Sequence, residues 1–171
     1  FRARGIDTLG VCFLHSYAND THELAMREIL TREHPEAIVS ISSEVLREYR
    51  EYERSMTTLV DAAVKPNVSR YVTNIHTRLD DFASGIPFYI MKSNGGVLSA
   101  DEVVHQPITT VLSGPAAGAL GAGLIAKRAG FPKVLTCDGG GTSTDVSVVL
   151  DGEPTLTTEG TVGAYPSKIP M

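Results

Sequence analysis

Leu9-Gly10-Val11-Cys12-Phe13-Leu14 is an unbroken apolar run, the pattern of a strand buried on both faces. Asp20 and Glu23 follow at capping-box spacing and predict a helix to about His34, where Pro35 stops it. Ile38 to Ile41 predicts a second strand, so the first segment reads as β-α-β. Arg47 to Arg54 alternates in sign and predicts a solvated, salt-bridged face. Beyond it Val68, Tyr71, Val72, Ile75, Leu79 and Phe82 recur at three- and four-residue steps, marking a long amphipathic helix. Pro66 is expected to kink this helix or divide it from an earlier one over residues 56–64.

The pattern then shortens. Phe88 to Met91 predicts a strand running into the turn Ser93-Asn94-Gly95-Gly96, and residues 99–105 a short helix capped by Ser99. Ser113-Gly114-Pro115 opens an Ala/Gly-rich helix to about Ala129, with Pro in its first turn and Gly130 past its end. A strand from Val134 to Cys137, a glycine loop and a strand from Val146 to Leu150 follow. A hairpin through Asp151-Gly152 then leads into Thr155 to Thr158.

Composition sharpens this division. Gly5, Gly10 and Gly85 are the glycines of the first 85 residues, and the other 13 of the 16 come later. The first half should therefore be mostly helix, the second mostly strand and tight turn. A hydrophobic share of 42% and a charged share of 20% mark a globular chain, and the net charge of −5 argues against a nucleic-acid partner. The longest apolar stretch, Ala116 to Ala126, is too short to span a bilayer. Cys12 and Cys137 sit in apolar runs and read as buried thiols, which suits a cytoplasmic location. Starting at Phe1 and stopping at Pro170-Met171, the chain reads as an excised segment of a longer polypeptide.

The candidate chemistry lies in Asp138-Gly139-Gly140-Gly141-Thr142-Ser143-Thr144-Asp145. Successive glycines let a backbone approach a bulky anion and turn its N–H groups inward, as an anion-binding nest. Hydroxyls at Thr142 and Thr144 can add donors to phosphate oxygens. Asp138 and Asp145 repel phosphate, and make sense with a hard cation such as Mg²⁺ between. There is no lysine as in a Walker loop and no following helix as in a dinucleotide fold. The residues by themselves also fit a glycine-rich hairpin with incidental Asp and Thr, although two-residue turns suffice to close hairpins.

Cys137 to Ser147 resembles the second phosphate motif of the actin, sugar-kinase and heat-shock-chaperone ATPase superfamily, and Ser113 to Ala119 its connecting helix. Within it the chain is similar to the hydantoinase A/5-oxoprolinase group, which includes acetone- and acetophenone-carboxylase subunits. The likeness runs in order through Leu14 to Asn19, His22-Glu23, Ser43 to Val45, Glu51 to Arg54, Ser93 to Gly96 and Leu112 to Gly118. It implies an α/β, ribonuclease-H-like fold in part: residues 1–55 ending a first lobe, 56–85 bridging, and 86–171 beginning a second lobe with phosphate loop 138–145. It implies ATP and Mg²⁺ as cofactors. Asp138 and Asp145 would face the metal through water, and Gly139, Gly140, Gly141, Thr142, Ser143 and Thr144 would hold phosphates. Gly139 departs from the group, where a larger apolar residue is expected. No first phosphate motif or adenosine-binding glycine pair is present, so the chain carries one jaw of the cleft.

The implied activity is ATP-dependent opening of a small cyclic amide by phosphorylation, with a hydantoinase B-type partner subunit or domain. The alternatives are an ATP-dependent ketone carboxylase subunit and a non-enzymatic actin- or chaperone-like ATPase switch. The isolated segment is expected to be inactive. His15, His22 and Glu23 lie where a strand ends and a helix begins; they can bind a metal or substrate carboxylate, or simply cap the helix. Ser93 to Gly96 reads either as a substrate or interface loop or as a plain turn.

Overall fold

The structure, a computed structural model, describes residues 1–158, 160–162 and 165–168. Pro170 and Met171, where the chain stops, lie outside the described residues. Strand β1 (Thr8–Val11) pairs in parallel with β2 (Ile38–Ile41), Thr8 facing Ile38 and Val11 facing Ile41. A parallel pair needs a crossover, and α1 (Thr21–Glu33) supplies it. Helix α2 (Ser42–Val45) follows, and α3 (Glu51–Phe82) packs across both strands. Contact is close at Gly10, where an added Cβ would stand 3.0 Å from Leu59 Cδ2.

A β-hairpin, β3 (Tyr89–Met91) and β4 (Val97–Ser99), opens the second half. Ser99 caps α4 (Ala100–Val103) with the full reciprocal box to Glu102. A 3₁₀ turn, Pro107–Thr110, leads to α5 (Ser113–Arg128). Helix α5 lies on an antiparallel sheet ordered β5 (Lys133–Gly139), β6 (Thr144–Leu150) and β7 (Glu153–Pro154). Strands β8 (Gly160–Val162) and β9 (Tyr165–Ser167) pair, and β9 returns to α3. Among the described residues no helix is long and apolar enough to cross a membrane.

Buried Asp61 joins the halves: its carboxylate accepts from Ser40 Oγ of β2 at 2.7 Å and from the Ile108 N–H of the 3₁₀ turn at 3.1 Å, with Lys65 Nζ at 3.8 Å. Burial pushes this carboxyl above its ordinary range, against the pull of Ser40, Ile108 and Lys65.

Several expectations are corrected. The run from Leu9 to Leu14 is a strand only to Val11, because its last apolar residues leave the sheet and Leu14 is exposed. Asp20 precedes α1 without a side-chain cap, since its carboxylate pairs with Arg47. Glu23 turns inward instead of back to the cap. The charged stretch is not solvated throughout: Arg54 is 0% exposed. Its guanidinium donates to Cys12 Sγ and to the carbonyls of Glu48 and Phe13, and sits 5.4 Å from the Tyr17 ring centre.

Pro66 does not divide α3, which runs unbroken through it. The apolar stripe that follows is buried only in part, with Tyr71 and Phe82 exposed. Neither cysteine is fully buried; Cys12 lies just past β1, half-buried, and Cys137 is exposed on β5, both as free thiols. The strand after Asp151-Gly152 is Glu153–Pro154, ahead of the expected Thr155 to Thr158.

Candidate functional site

The glycine loop closes the β5–β6 hairpin. Asp138 is the ladder partner of Asp145 and Gly139 of Thr144, and the Gly140 N–H donates to the Ser143 carbonyl at 2.9 Å. Gly140 to Ser143 therefore form the exposed tip, while Gly139 and Thr144 end the strands. The N–H groups of Gly141 and Thr142 meet no acceptor among the described residues.

None of the three glycines has φ in the left-handed region. No αR–αL pair forms here, so the N–H groups of the expected anion-binding loop are offered by a turn. Nor does packing call for glycine. A Cβ on Gly139 or Gly141 would meet nothing within 4 Å, and one on Gly140 would stand 3.6 Å from the Ser143 carbonyl oxygen, an ordinary contact. Three glycines in a row cost roughly 0.5–1 kcal/mol each in chain entropy, here without conformational or packing return inside the chain. Open space above a bare backbone is what close approach of a bulky anion requires.

The aspartates sharpen this reading. Ladder partners project to the same face, and like charges directly opposite each other destabilise a sheet. Here that face is the one toward α5, since a Cβ on Gly118 would lie 3.7 Å from Asp138 Oδ2. A cation between them relieves the repulsion. Among the described residues no group of three or more His, Cys, Asp or Glu gathers as a metal cage. Mg²⁺ suits this donor set, because it binds through one or two carboxylates and completes its shell with water and phosphate.

Two cavities of about 360 Å³ and 580 Å³ flank α5, and Asp145 borders both. The larger is also lined by Gly118 and Asp138, and by Thr136 and Ser147, which the sequence reading did not single out. Alternation along β5 and β6 was their signal. Val134, Thr136 and Asp138, with Asp145, Ser147 and Val149, share one face, polar toward the loop and apolar away from it.

His15, His22 and Glu23 are not brought together. His15, at φ 59°, and His22 are exposed, whereas Glu23 is fully buried. The Glu23 carboxylate accepts from the Phe13 N–H at 2.8 Å, Ser42 Oγ at 2.6 Å and the Ser43 N–H at 2.8 Å. Burial by itself raises this carboxyl, but hydrogen bonds from Ser42, Phe13, Ser43 and Ser16 outweigh it and hold Glu23 below its ordinary value. It ties the loop after β1 to the start of α2.

The chain is 35% identical over 162 residues to an uncharacterised protein of Methanocaldococcus jannaschii, covering 95% of this chain and 24% of that protein. It is 27% identical to the caprolactamase alpha subunit of Pseudomonas jessenii, over 100% of this chain and 25% of the subunit. Among solved structures, nucleotide-free acetone carboxylase superposes with a TM-score of 0.87 at 24% identity, over 99% of this chain and 24% of that one. The chain thus spans about a quarter of the length of each of these three proteins, and at that identity the superposition establishes the fold. A sequence model of one enzyme family matches residues 54–171, from buried Arg54 through the whole glycine hairpin. By that match the chain belongs to the hydantoinase/oxoprolinase family.

Proposed function

We propose that the Asp138 to Asp145 hairpin is the phosphate jaw of an ATP site in an enzyme that opens a cyclic amide. The observation that carries this is the hairpin itself: three glycines required by neither backbone angle nor packing, beside two aspartates paired on one face. Gly141 and Thr142 would hold the terminal phosphates by their backbone N–H groups, and Gly140, whose N–H closes the turn, by closeness of approach. Gly139, Ser143 and Thr144 set the ends of the tip, and the Thr142 and Thr144 hydroxyls add donors. Asp138 and Asp145 would hold Mg²⁺. When bound, ATP would supply the phosphoryl group that makes a resonance-stabilised amide carbon open to water, and Mg²⁺ would offset the phosphate charge.

The chain's own contribution is placement and charge balance on a rigid hairpin, the main sources of catalysis in phosphoryl transfer. Residues 1–55 complete a first lobe, 56–85 bridge, and 86–171 begin a second, ribonuclease-H-like lobe. The caprolactamase relative is named as an alpha subunit, which supports a partner subunit or domain of the hydantoinase B type here.

In the complete polypeptide, phosphate release from ATP is expected only when a cyclic amide is supplied. Asp138→Ala should lower that release by about 10²-fold, the usual scale for removing one electrostatic stabiliser. The acetone carboxylase fold supports a second reading, a ketone carboxylase, for which turnover would need bicarbonate and a ketone. Fast phosphate release without any substrate would point to an ATPase switch and sink both readings.

A further inference from the structure

The smaller cavity lies between the Ser93–Gly96 turn, the first turns of α5 and the β6–β7 edge. The turn is fixed from three sides. Buried Ser93 donates its hydroxyl to the carbonyls of Thr109 and Val111, and its N–H to the Thr109 carbonyl at 2.7 Å. Gly95, at φ 82°, is seated so tightly on α5 that a Cβ there would run into Leu120. Asn94 Oδ1 accepts the Gly96 N–H at 3.0 Å. A backbone N–H only donates, so this bond fixes the amide's orientation and leaves the Asn94 NH₂ outward. Among the described residues neither of its two N–H bonds meets an acceptor.

At about 360 Å³ the cavity falls in the lower part of the roughly 300–1,000 Å³ range of small-molecule sites. Its walls are mostly apolar, with Leu112, Leu120, Val148 and Leu156 among them. Asp145 is the one ionisable side chain lining it, and no lysine, arginine or histidine does so among the described residues. A carboxylate placed here would lose water and gain no cationic partner among the lining side chains. A neutral carbonyl compound has no such cost.

We infer that this cavity binds the acceptor substrate, and that it selects an uncharged lactam carbonyl, held by the Asn94 NH₂, over a substrate carrying a carboxylate. A carbonyl oxygen has two lone pairs. One accepts from Asn94, and the other stays free on the side bordered by Asp145, where the cavity meets the phosphate hairpin. The inference rests on the phosphate-loop reading of that hairpin.

The test uses 2-pyrrolidinone and 5-oxoproline, which differ by one carboxylate, and measures phosphate release from ATP by the complete polypeptide with any partner subunit. The neutral lactam is expected to have a kcat/KM at least about tenfold higher, since removing one well-placed recognition group is worth that much or more. Preference for 5-oxoproline overturns the inference. Asn94→Asp keeps an acceptor for the Gly96 N–H and removes both donors. It should raise the KM for the neutral lactam about tenfold or more and leave the KM for ATP within about twofold. An unchanged lactam KM, or an equal loss of both, overturns it by showing that the turn has no donor role or only a structural one. If ATP binds and neither compound drives phosphate release, this inference fails alone; if ATP does not bind, the phosphate-loop reading fails with it.

Discussion

Glu23 illustrates how a residue that looks like an active-site carboxylate can be a structural tie. Its two oxygens take three donors from two chain segments, Phe13 before α1 and Ser42-Ser43 after β2. Ser16 Oγ stands 3.0 Å from Ser42 Oγ. The Ser16 hydroxyl also reaches back to the Phe13 carbonyl at 3.0 Å, closing the same cluster. Hydrogen bonds to a charged acceptor contribute about 1.5–3 kcal/mol each. Glu23→Gln turns an N–H₂ toward at least one of these donors and should cost about 2 kcal/mol or more of local stability. Hydrogen exchange of peptides covering 12–16 and 42–46 should quicken in the variant at neutral pH. The folded carboxyl lies below its ordinary 4.5, so its contribution is complete above pH 4.5 and is lost as pH falls through the depressed value. The unaltered protein should therefore lose protection there in acid while Glu23→Gln stays nearly flat; parallel acid profiles would show that Glu23 is not the tie. Asp61 has the opposite sign: its folded value is raised above 3.8, so its contribution is complete below pH 3.8 and shrinks as pH rises through the raised value.

At the scale of elements, the small residues of α5 are not equivalent, although the sequence shows only a run of glycine and alanine. Among the glycines of α5, the tightest point is Gly123. A Cβ on Gly123 would stand 2.9 Å from both the Gly152 carbonyl oxygen and Val149 Cγ1, whereas one on Gly121 would meet nothing within 4 Å. Gly123→Ala must push α5 off the sheet at the β6–β7 corner and should cost about 1–3 kcal/mol. Gly121→Ala relieves a helix-interior glycine and should gain up to about 1 kcal/mol. Urea titration of the two variants checks the contrast, and a destabilising Gly121→Ala would reveal an unseen packing partner on that side. Local signals made much of this half legible. The Ser99 box, Pro115 in the first turn of α5 and Gly130 past its end are set by neighbours a few residues away. The capping box at Asp20 and Glu23 has equally good spacing, yet burial against α2 and the Arg47 ion pair decide it, and both partners lie far along the chain.

Across the whole molecule, the hairpin was legible because strand, glycine tip and strand are contiguous, and the pairing of Asp138 with Asp145 follows from a symmetric register about the tip. The cavity between the Ser93–Gly96 turn and β6 was not legible, because it joins segments some fifty residues apart through α5. The outer sheet face shows the same limit. Leu135 is 73% exposed and Val146 65%, although both are apolar residues of regular strands. Alternation tells which residues share a face, but not whether anything covers it. This bears on ATP binding. The chain spans about a quarter of the length of the two relatives described above, and in the proposed reading it offers Mg-ATP one hairpin and two acidic side chains. A nucleotide held at one end alone gains few contacts against the loss of its translational and rotational freedom. The 171-residue chain titrated by calorimetry with Mg-ATP is therefore expected to bind no more tightly than about 1 mM, equivalent to about 4 kcal/mol. The complete polypeptide should bind at least about 100-fold more tightly, and Asp145→Asn should remove most of that gain. Micromolar binding by the 171-residue chain alone would overturn the two-jaw description and move the adenosine site into the cavities beside α5.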